Sequence, residues 1–254
     1  MLPALFLAHG SPMLAIEQTD YAAFLGELGK QFQPKAIVVF TAHWETETLA
    51  MTYTDDVYET IYDFGGFPDE LYQIKYPARG SKIVADMLEA KFAKQGIAVR
   101  RDAERGLDHG TWTLLHRMYP KADIPLVQLS VNPYRSPEEH YRIGEALRGL
   151  GEQGILVIGS GVTVHNLRMI KWGQREPEDW AVAFDDWLIE RMGSGDVDSL
   201  FRYEELAPGA RMAVPRAEHF VPLYVALGSG SKKTPEILFR GYDMGTLSYL
   251  SFAL

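Results

Sequence analysis

The chain has 254 residues, 46% of them hydrophobic and 23% charged, a composition typical of a folded globular protein and not of a disordered or fibrous one. Its formal net charge of −9 argues against nucleic acid as the main partner, because phosphate binding needs a basic face, and gives no reason to expect anionic membranes. The absence of cysteine excludes disulfides, thiolate zinc sites and iron–sulfur clusters, and it fits a reducing cytosol.

The amino-terminal stretch predicts neither a secretion signal nor a membrane anchor. It is apolar for only about seven residues and carries no basic segment before them. No apolar run in the sequence approaches the roughly 18 residues that a membrane-spanning helix needs. We therefore expect a cytoplasmic protein without a membrane partner.

Short continuous apolar runs predict buried strands. The first is Ala4–Ala8, which stops at a His-Gly-Ser-Pro turn. Later runs predict strands at 36–40, 49–53, 124–130, 154–160, 237–239 and 247–252. The run at 49–53 is expected at an edge of the sheet, and the last two runs are candidates for an antiparallel pair.

Amphipathic segments between these runs predict helices at 21–32, Lys82–Lys94, 137–150, 180–192 and 217–227. Ser136 and Glu139 form a capping box at the start of the third, and Gly193 and Gly228 are expected to end the last two. The alternation of buried strands and helices indicates an α/β fold. We expect a single domain over residues 1–254, with a mixed, largely parallel central sheet and helices on both faces.

Histidines follow three of the predicted strands. His9 and His43 lie one to three residues beyond a strand, and His165 follows the strand at 154–159. Ligands of α/β sheets bind at the carboxyl ends of strands, so these side chains are expected to meet at one rim. His109 lies in a glycine-flanked loop and His219 in the first turn of a predicted helix. Imidazole is a common metal ligand and an acid or base near neutral pH, which favours an enzyme.

A single histidine beside apolar residues is usually structural, and each candidate has such an alternative. His116 and His140 lie on ordinary helix faces and are assigned to structure. Ser160 is a conceivable nucleophile, but its surroundings do not match G-x-S-x-G. Asp108 either orients His109 or caps the next turn. The adjacent carboxylates at 185 and 186 are expected on a solvated helix face.

Seven short motifs, taken in order, resemble one known family. They are HGSP, AHW, YDFGGFP, GLDHGTW, IPLVQLS, GSG-x-x-x-HNLR and AEHF. Together they resemble the class III (LigB-type) extradiol ring-cleavage dioxygenases, in the 4,5-DOPA dioxygenase-like branch. The likeness runs from about residue 4 to the end of the chain. One departure, Val-Thr-Val at 162–164, lies beside His165 and affects the expected shape of the pocket.

The resemblance implies a role for each histidine. His9 and His43 would bind the metal, with His219 as the third ligand and Glu218 as its alternative. His165 would be the acid/base residue and a further candidate ligand. His109 would contact the substrate hydroxyls. The candidate pocket residues are Ser11, Asp63, Phe64 and Phe67, although structural packing explains the two phenylalanines equally well.

The implied reaction is ring cleavage of a catechol, such as DOPA or a related catecholic acid, by O2 at one non-haem Fe(II) ion. An all-imidazole site also suits zinc, so a zinc hydrolase on the same scaffold is the first alternative. A non-catalytic binding protein is the second. The sequence leaves open which catechol is used, which bond is cleaved, and whether the protein forms a homo-oligomer.

Overall fold

The computed structural model describes residues 1–232 and 234–254, and within them the predicted apolar runs supply seven of the eight strands of the main sheet. The strands, in chain order, are β1 (Ala4–Ala8), β2 (Ala36–Glu45), β3 (Ala50–Thr52), β4 (Arg100–Asp102), β5 (Leu126–Val131), β6 (Ile155–Gly161), β7 (Glu236–Phe239), β8 (Tyr242–Asp243), β9 (Leu247–Ser248) and β10 (Ser251–Ala253). The short strands β8 and β9 pair with each other in a separate antiparallel ribbon.

The main sheet has the order β4-β3-β5-β2-β6-β1-β10-β7. Its centre, β5-β2-β6-β1, is parallel throughout, and β3, β10 and β7 join it through antiparallel pairings. The predicted fold class, a mixed and largely parallel α/β sheet, is confirmed. The parallel centre places the carboxyl ends of β1, β2 and β6 side by side at one rim, which is the usual ligand-binding edge of such sheets.

Helices cover both faces of the sheet. They are α1 (Asp20–Gln31), α2 (Lys82–Lys94), α3 (His109–Met118), α4 (Pro137–Glu145), α5 (Asp179–Ser194), α6 (Val197–Phe201), α7 (Tyr203–Leu206), α8 (Ala210–Ala213) and α9 (Pro222–Ser229), with short 3-10 turns at Pro12–Ala15, Asp69–Gln73 and Gly151–Gln153. In the part of the chain that the structure describes, no helix is long and apolar enough to cross a membrane.

Alternate residues of the central strands face opposite layers of helices. In β2, Ile37 and Val39 pack in the core with α1 and α3, whereas Val38 and Phe40 pack with α2 and α4. All four side chains are at most 1% exposed. Full burial of such a side chain contributes about 1.5–3 kcal/mol to stability. Because both faces of β2 are apolar, burial alone does not fix the register of this strand.

The prediction for the region around His43 was wrong in two respects. Strand β2 does not end before His43 but continues to Glu45, after an irregularity in its pairing with β5 between Phe40 and Glu45. The strand at 49–53 is not at the edge, because β4 pairs with β3 on its outer side. Hydrophobicity could not predict β4, since two of its three residues are arginines.

The predicted end of the third long helix was also wrong. The capping box of Ser136 and Glu139 is present, but α4 ends at Glu145 and not near 150. Beyond that point the backbone hydrogen bonds join residues three apart, as from Leu147 to Gly144, so the chain continues in tighter turns.

Three further boundaries differ from the prediction. Helix α5 continues to Ser194 and ends at Gly195, whose φ of 71° is the left-handed conformation that glycine adopts readily, so Gly193 lies inside the helix. Helix α9 begins at Pro222, which has no N–H to donate to a preceding turn, and Gly228 lies within it. The predicted strand at 247–252 is two strands, of which only β10 forms the expected antiparallel pair with β7.

Candidate active site

Five histidines meet at the carboxyl rim of the parallel strands. His9 follows β1, His43 lies near the end of β2, His109 is the first residue of α3, His165 follows β6, and His219 precedes α9. The centroid distances between neighbouring rings run from 3.7 Å for His165 and His219 to 5.7 Å for His9 and His109. The structure therefore brings all five predicted histidines together. Two local predictions were wrong, because His109 is helical and His219 lies in a turn before the helix.

The buried ring of His9 is held in one tautomer by Ser160. His9 Nδ1 lies 2.9 Å from Ser160 Oγ, and that hydroxyl donates its own hydrogen to the carbonyl of Gly110. Ser160 must therefore accept a hydrogen from Nδ1, which leaves Nε2 of His9 without one. Burial lowers the pKa of His9 well below its usual value, so the ring is neutral. Ser160 orients a histidine in this geometry and is not a free nucleophile.

His219 has a comparable arrangement with Glu218. Its Nδ1 lies 3.0 Å from Glu218 Oε1, an acceptor, so the hydrogen of the neutral ring is on Nδ1 and Nε2 carries a lone pair. Burial lowers the pKa of His219 well below its usual value. Arg216 lies 3.5 Å from the other oxygen of Glu218 and donates to Glu45 at 2.7 Å. A chain of charged groups thus runs from the surface to His219.

Asp63 faces two of the imidazoles. One carboxylate oxygen accepts from the backbone N–H of His109 at 3.0 Å and lies 3.0 Å from its Nδ1, and the other lies 3.5 Å from Nδ1 of His43. Burial acts to raise the pKa of Asp63, but hydrogen bonding and the charge of His109 outweigh it and lower that pKa to about 2. Burial lowers the pKa of His43 to about 3. An ionised Asp63 therefore faces Nδ1 of both imidazoles.

The donor set fits one metal ion. Ring nitrogens of His9, His43 and His219 lie within 4.8 Å of one another, and Nε2 of His9 is 3.0 Å from Nε2 of His43. Two imidazole nitrogens bound to one ion at about 2.1 Å lie roughly 3.0 Å apart when the two bonds are perpendicular. Two overlapping groups are also close enough to share an ion: His43, Asp63 and His109, and His165, Glu218 and His219.

His165 stacks on His219. The two rings are 3.7 Å apart and tilted by only 13°. Burial lowers the pKa of His165 to about 4, so its ring is neutral at physiological pH. Neither ring nitrogen of His165 has a hydrogen-bond partner among the described residues, whereas His9 and His219 each have one. Both ring nitrogens of His165 are therefore available for proton transfer.

The aromatic loop at 62–68 lies against the histidine cluster. Phe64 meets the ring of His109 edge-on at 5.7 Å, and Phe67 packs edge-on against Phe64 at 5.4 Å. Phe64 is therefore adjacent to the cluster and Phe67 lies behind it. Ser11 accepts a hydrogen bond from the backbone of Met13 and caps a 3-10 turn.

Several site residues escaped the sequence analysis. Asp108, predicted either to orient His109 or to cap the next turn, is the N-cap residue of α3, but its carboxylate makes no capping bond and instead accepts from Thr41 at 2.6 Å and from Arg105 at 3.2 Å. The bond between Ser160 and His9 follows from β6 lying beside β1, where Ser160 pairs with Leu7. Strand order could have indicated that bond. The pair of Glu45 and Arg216 joins segments distant in sequence and left no local signal.

The comparison with protein families decides the classification of this site. The model of the catalytic LigB subunit of aromatic ring-opening dioxygenases matches residues 3–252. The chain belongs to this family. The LigB membership inferred from seven short motifs is confirmed, as is the class of enzyme, an extradiol ring-cleavage dioxygenase. LigB membership implies an aromatic substrate and O2, and the cluster supplies a group of three histidines for the metal on which these dioxygenases depend.

Individual LigB relatives match along nearly the whole chain. The protein is 40% identical to the 4,5-DOPA dioxygenase extradiol of Beta vulgaris, over 97% of this chain and 94% of that protein. It is 39% identical to the 4,5-DOPA dioxygenase extradiol of Escherichia coli K12, over 98% and 93%. The crystal structure of an uncharacterized protein of E. coli K12 matches with a TM-score of 0.85 and 36% identity, covering 100% of both chains.

Proposed function

We propose that the protein is an Fe(II)-dependent extradiol dioxygenase that cleaves the ring of a catechol such as DOPA or a related catecholic acid. The observation that carries the proposal is the tautomeric state of the cluster. The Nδ1 atoms of His9 and His219 are committed to Ser160 and Glu218, so both rings present a lone pair on Nε2. The catechol is suggested by the names of the two relatives described above, of which the chain covers 94% and 93%.

His9, His43 and His219 would hold the ion. Three imidazoles on one side leave coordination positions for both catechol oxygens and O2, and the bound iron supplies the redox chemistry that joins O2 to the ring. Ser160, Asp63 and Glu218 each face the Nδ1 atom of one of these ligands. Partners of this kind fix the ring orientation and raise the basicity of the ligand.

Glu218 is proposed as a positioning residue and not as a ligand. Its Oε1 already accepts the Nδ1 hydrogen of His219, and its Oε2 faces Arg216. A carboxylate used in this way orients the ligand and offsets the positive charge that accumulates when an ion binds. His219 is therefore preferred over Glu218 as the third ligand.

His165 and His109 are proposed to handle protons and orient the substrate. The ring of His165 is neutral and has no hydrogen-bond partner among the residues that the structure describes, so it can accept a proton from a catechol hydroxyl and return it later in the reaction. Nδ1 of His109 lies 3.0 Å from Asp63, which leaves Nε2 for a hydrogen bond to the catechol oxygens. Phe64 lies edge-on to His109, where an aromatic substrate could pack.

The alternatives of a zinc hydrolase and a non-catalytic binding protein are not favoured, because the chain belongs to a family of ring-opening dioxygenases along nearly its whole length. Zinc remains a competitor for the same three imidazoles, since it binds neutral histidine well and has no redox chemistry. We therefore expect zinc to occupy the site and to inhibit the enzyme.

Anaerobic reconstitution tests the proposal. Protein stripped of metal is loaded with Fe(II) or with Zn²⁺, and L-DOPA or protocatechuate is added before O2. Fe(II)-loaded protein should consume O2 and form a yellow ring-opened semialdehyde, whereas zinc-loaded protein should do neither. The variant His165→Ala should keep its iron and lose turnover, with His116→Ala as a histidine control outside the cluster. Absence of O2 uptake with every catechol tested would overturn the proposal, and an unchanged rate in His165→Ala would refute the acid/base role.

A further inference from the structure

Asp185 is a buried carboxylate outside the histidine cluster. The sequence predicts Asp185 and Asp186 on a solvated helix face, and for Asp185 that prediction is wrong: its side chain is fully buried in α5, whereas Asp186 is exposed. Arg240 pairs with Asp186 at 2.7 Å. Asp185 is instead satisfied by hydroxyl groups.

Three hydroxyls from three different segments donate to Asp185. Thr163 Oγ1 donates to Oδ1 at 2.7 Å, while Ser248 Oγ and Tyr242 OH donate to Oδ2 at 2.6 and 2.8 Å. Thr163 belongs to the loop after β6, and the other two belong to the ribbon of β8 and β9. A carboxylate with donors on both oxygens fixes the separation and orientation of the segments that carry them.

The loop held in this way carries His165. Thr163 is two residues before His165, and the carbonyl between them, on Val164, accepts from the backbone N–H of Ser248 at 3.3 Å. On the other side, the N–H of His165 donates to Ala213 at 2.9 Å. Because no described side chain hydrogen-bonds to the ring of His165, its position depends on this backbone and on stacking against His219.

We propose that Asp185 is a positioning residue for His165. Its carboxylate accepts hydrogen bonds from Thr163, Ser248 and Tyr242. These bonds fix the position of the loop after β6 so that His165 stacks on His219. The catalytic consequence rests on the proposed acid/base role of His165, whereas the positional consequence does not. Burying a carboxylate among hydroxyls is a costly way to fill a core, since apolar side chains of similar volume commonly serve stability as well or better.

Thr163→Val tests the proposal with the least change of shape. It removes one donor to Asp185 and leaves the other two. Tyr224→Phe is the matched control, because it removes a buried hydroxyl that donates to the carbonyl of Leu200 in α6 and not to Asp185. Asp185→Asn is the second variant and removes the charge itself. All are prepared as zinc-loaded and as Fe(II)-loaded full-length protein.

Two readouts separate positioning from stability. In the zinc-loaded protein without substrate, the Hε1 resonance of His165 should shift in Thr163→Val and Asp185→Asn, because the ring-current effect of stacked His219 changes, and should not shift in Tyr224→Phe. In the Fe(II) enzyme, kcat should fall roughly 10- to 100-fold at nearly unchanged KM and metal affinity, the loss expected of a displacement of about 1 Å.

The proposal is overturned if the His165 resonance does not move in either Thr163→Val or Asp185→Asn. It is also overturned if all three variants, Tyr224→Phe included, lose activity in proportion to their loss of thermal stability. If the wild-type protein cleaves no catechol, the proposed function fails, but the resonance comparison still decides whether Asp185 positions the ring. If Asp185→Asn does not fold, the His165 resonance in Thr163→Val and Ser248→Ala decides whether the hydroxyls around Asp185 position the ring.

Discussion

Nε2 of His9 and Nε2 of His43 face each other at 3.0 Å in a cluster where burial keeps both rings neutral. Both lone pairs cannot point at each other without repulsion. Either one nitrogen carries a hydrogen and donates it to the other, or a cation lies between them. Asp63 faces Nδ1 of His43 at 3.5 Å and Ser160 faces Nδ1 of His9 at 2.9 Å, which favours hydrogens on both Nδ1 atoms and therefore a cation bound by both Nε2 atoms.

Replacing His43 by Ala should lower metal affinity by at least about 100-fold, because one of only three proposed ligands is lost. Competition against a chromogenic chelator, with Zn²⁺ as the probe, measures the change. His116→Ala is the control, since His116 lies on α3 outside the cluster. Wild-type affinity in His43→Ala would mean that the ion lies in another group, such as that of His165, Glu218 and His219.

Glu218→Gln should lower metal affinity by roughly 10- to 100-fold, the range typical of a residue that orients a ligand. The amide oxygen can still accept from Nδ1 of His219, but the charge is gone. His219→Ala should cost more than Glu218→Gln in the same chelator competition. A larger loss in Glu218→Gln than in His219→Ala would identify Glu218 as the ligand instead.

Gly110→Ala should weaken metal binding without unfolding the protein. A Cβ at Gly110 would lie 2.8 Å from Thr41 Oγ1 and 2.9 Å from His43 Cδ2, so the ring of His43 would have to move. Gly193→Ala is the matched control, because a Cβ there meets nothing within 4 Å inside α5. We expect that control to raise the free energy of unfolding by about 0.5–1 kcal/mol, the helix-propensity difference between the residues. Equal metal affinities in the two variants would contradict the expectation.

His140 should make the protein less stable in mild acid. Burial lowers its pKa from 6.5 to about 4, and its Nδ1 donates to the carbonyl of Ser136 at 3.0 Å. Between those two pH values the unfolded chain binds a proton that the folded chain does not, so stability falls as pH falls and is fully present only above the unfolded pKa. His140→Gln removes this difference.

Urea unfolding near neutral pH and at about pH 5 measures the effect of His140. The loss of unfolding free energy on acidification should be about 2 kcal/mol smaller in His140→Gln than in the wild type. Both proteins share every other histidine, so those contributions cancel. Parallel losses in the two proteins would show that His140 is not the group responsible.

The sequence predicted the strands of the sheet well where burial is two-sided. Runs such as Ala4–Ala8 are apolar and buried at every position, as expected of a strand that helices cover on both faces. Boundaries were less predictable. The end of α4 and the start of α9 depend on turns of the i to i+3 kind that hydrophobic spacing does not encode.

The site was predictable to the extent that it depends on strand ends. His9 and His43 could be found because each lies near the end of an apolar run, and parallel strands bring their ends together. The partners of the histidines could not be found in this way. Asp185 resembles any exposed helical acid until Thr163, Ser248 and Tyr242 are placed around it, and these residues are distant in sequence.

Strand β1, which His9 follows, lies between β6 and β10. Both of these strands are synthesised much later than β1. A nascent chain that has exposed His9 and His43 still lacks Ser160, His219 and the strand that covers the other edge of β1. An amino-terminal fragment that ends before His219 therefore lacks one member of the three-histidine group. Binding of a metal ion by this group therefore depends on a residue that is synthesised late in translation.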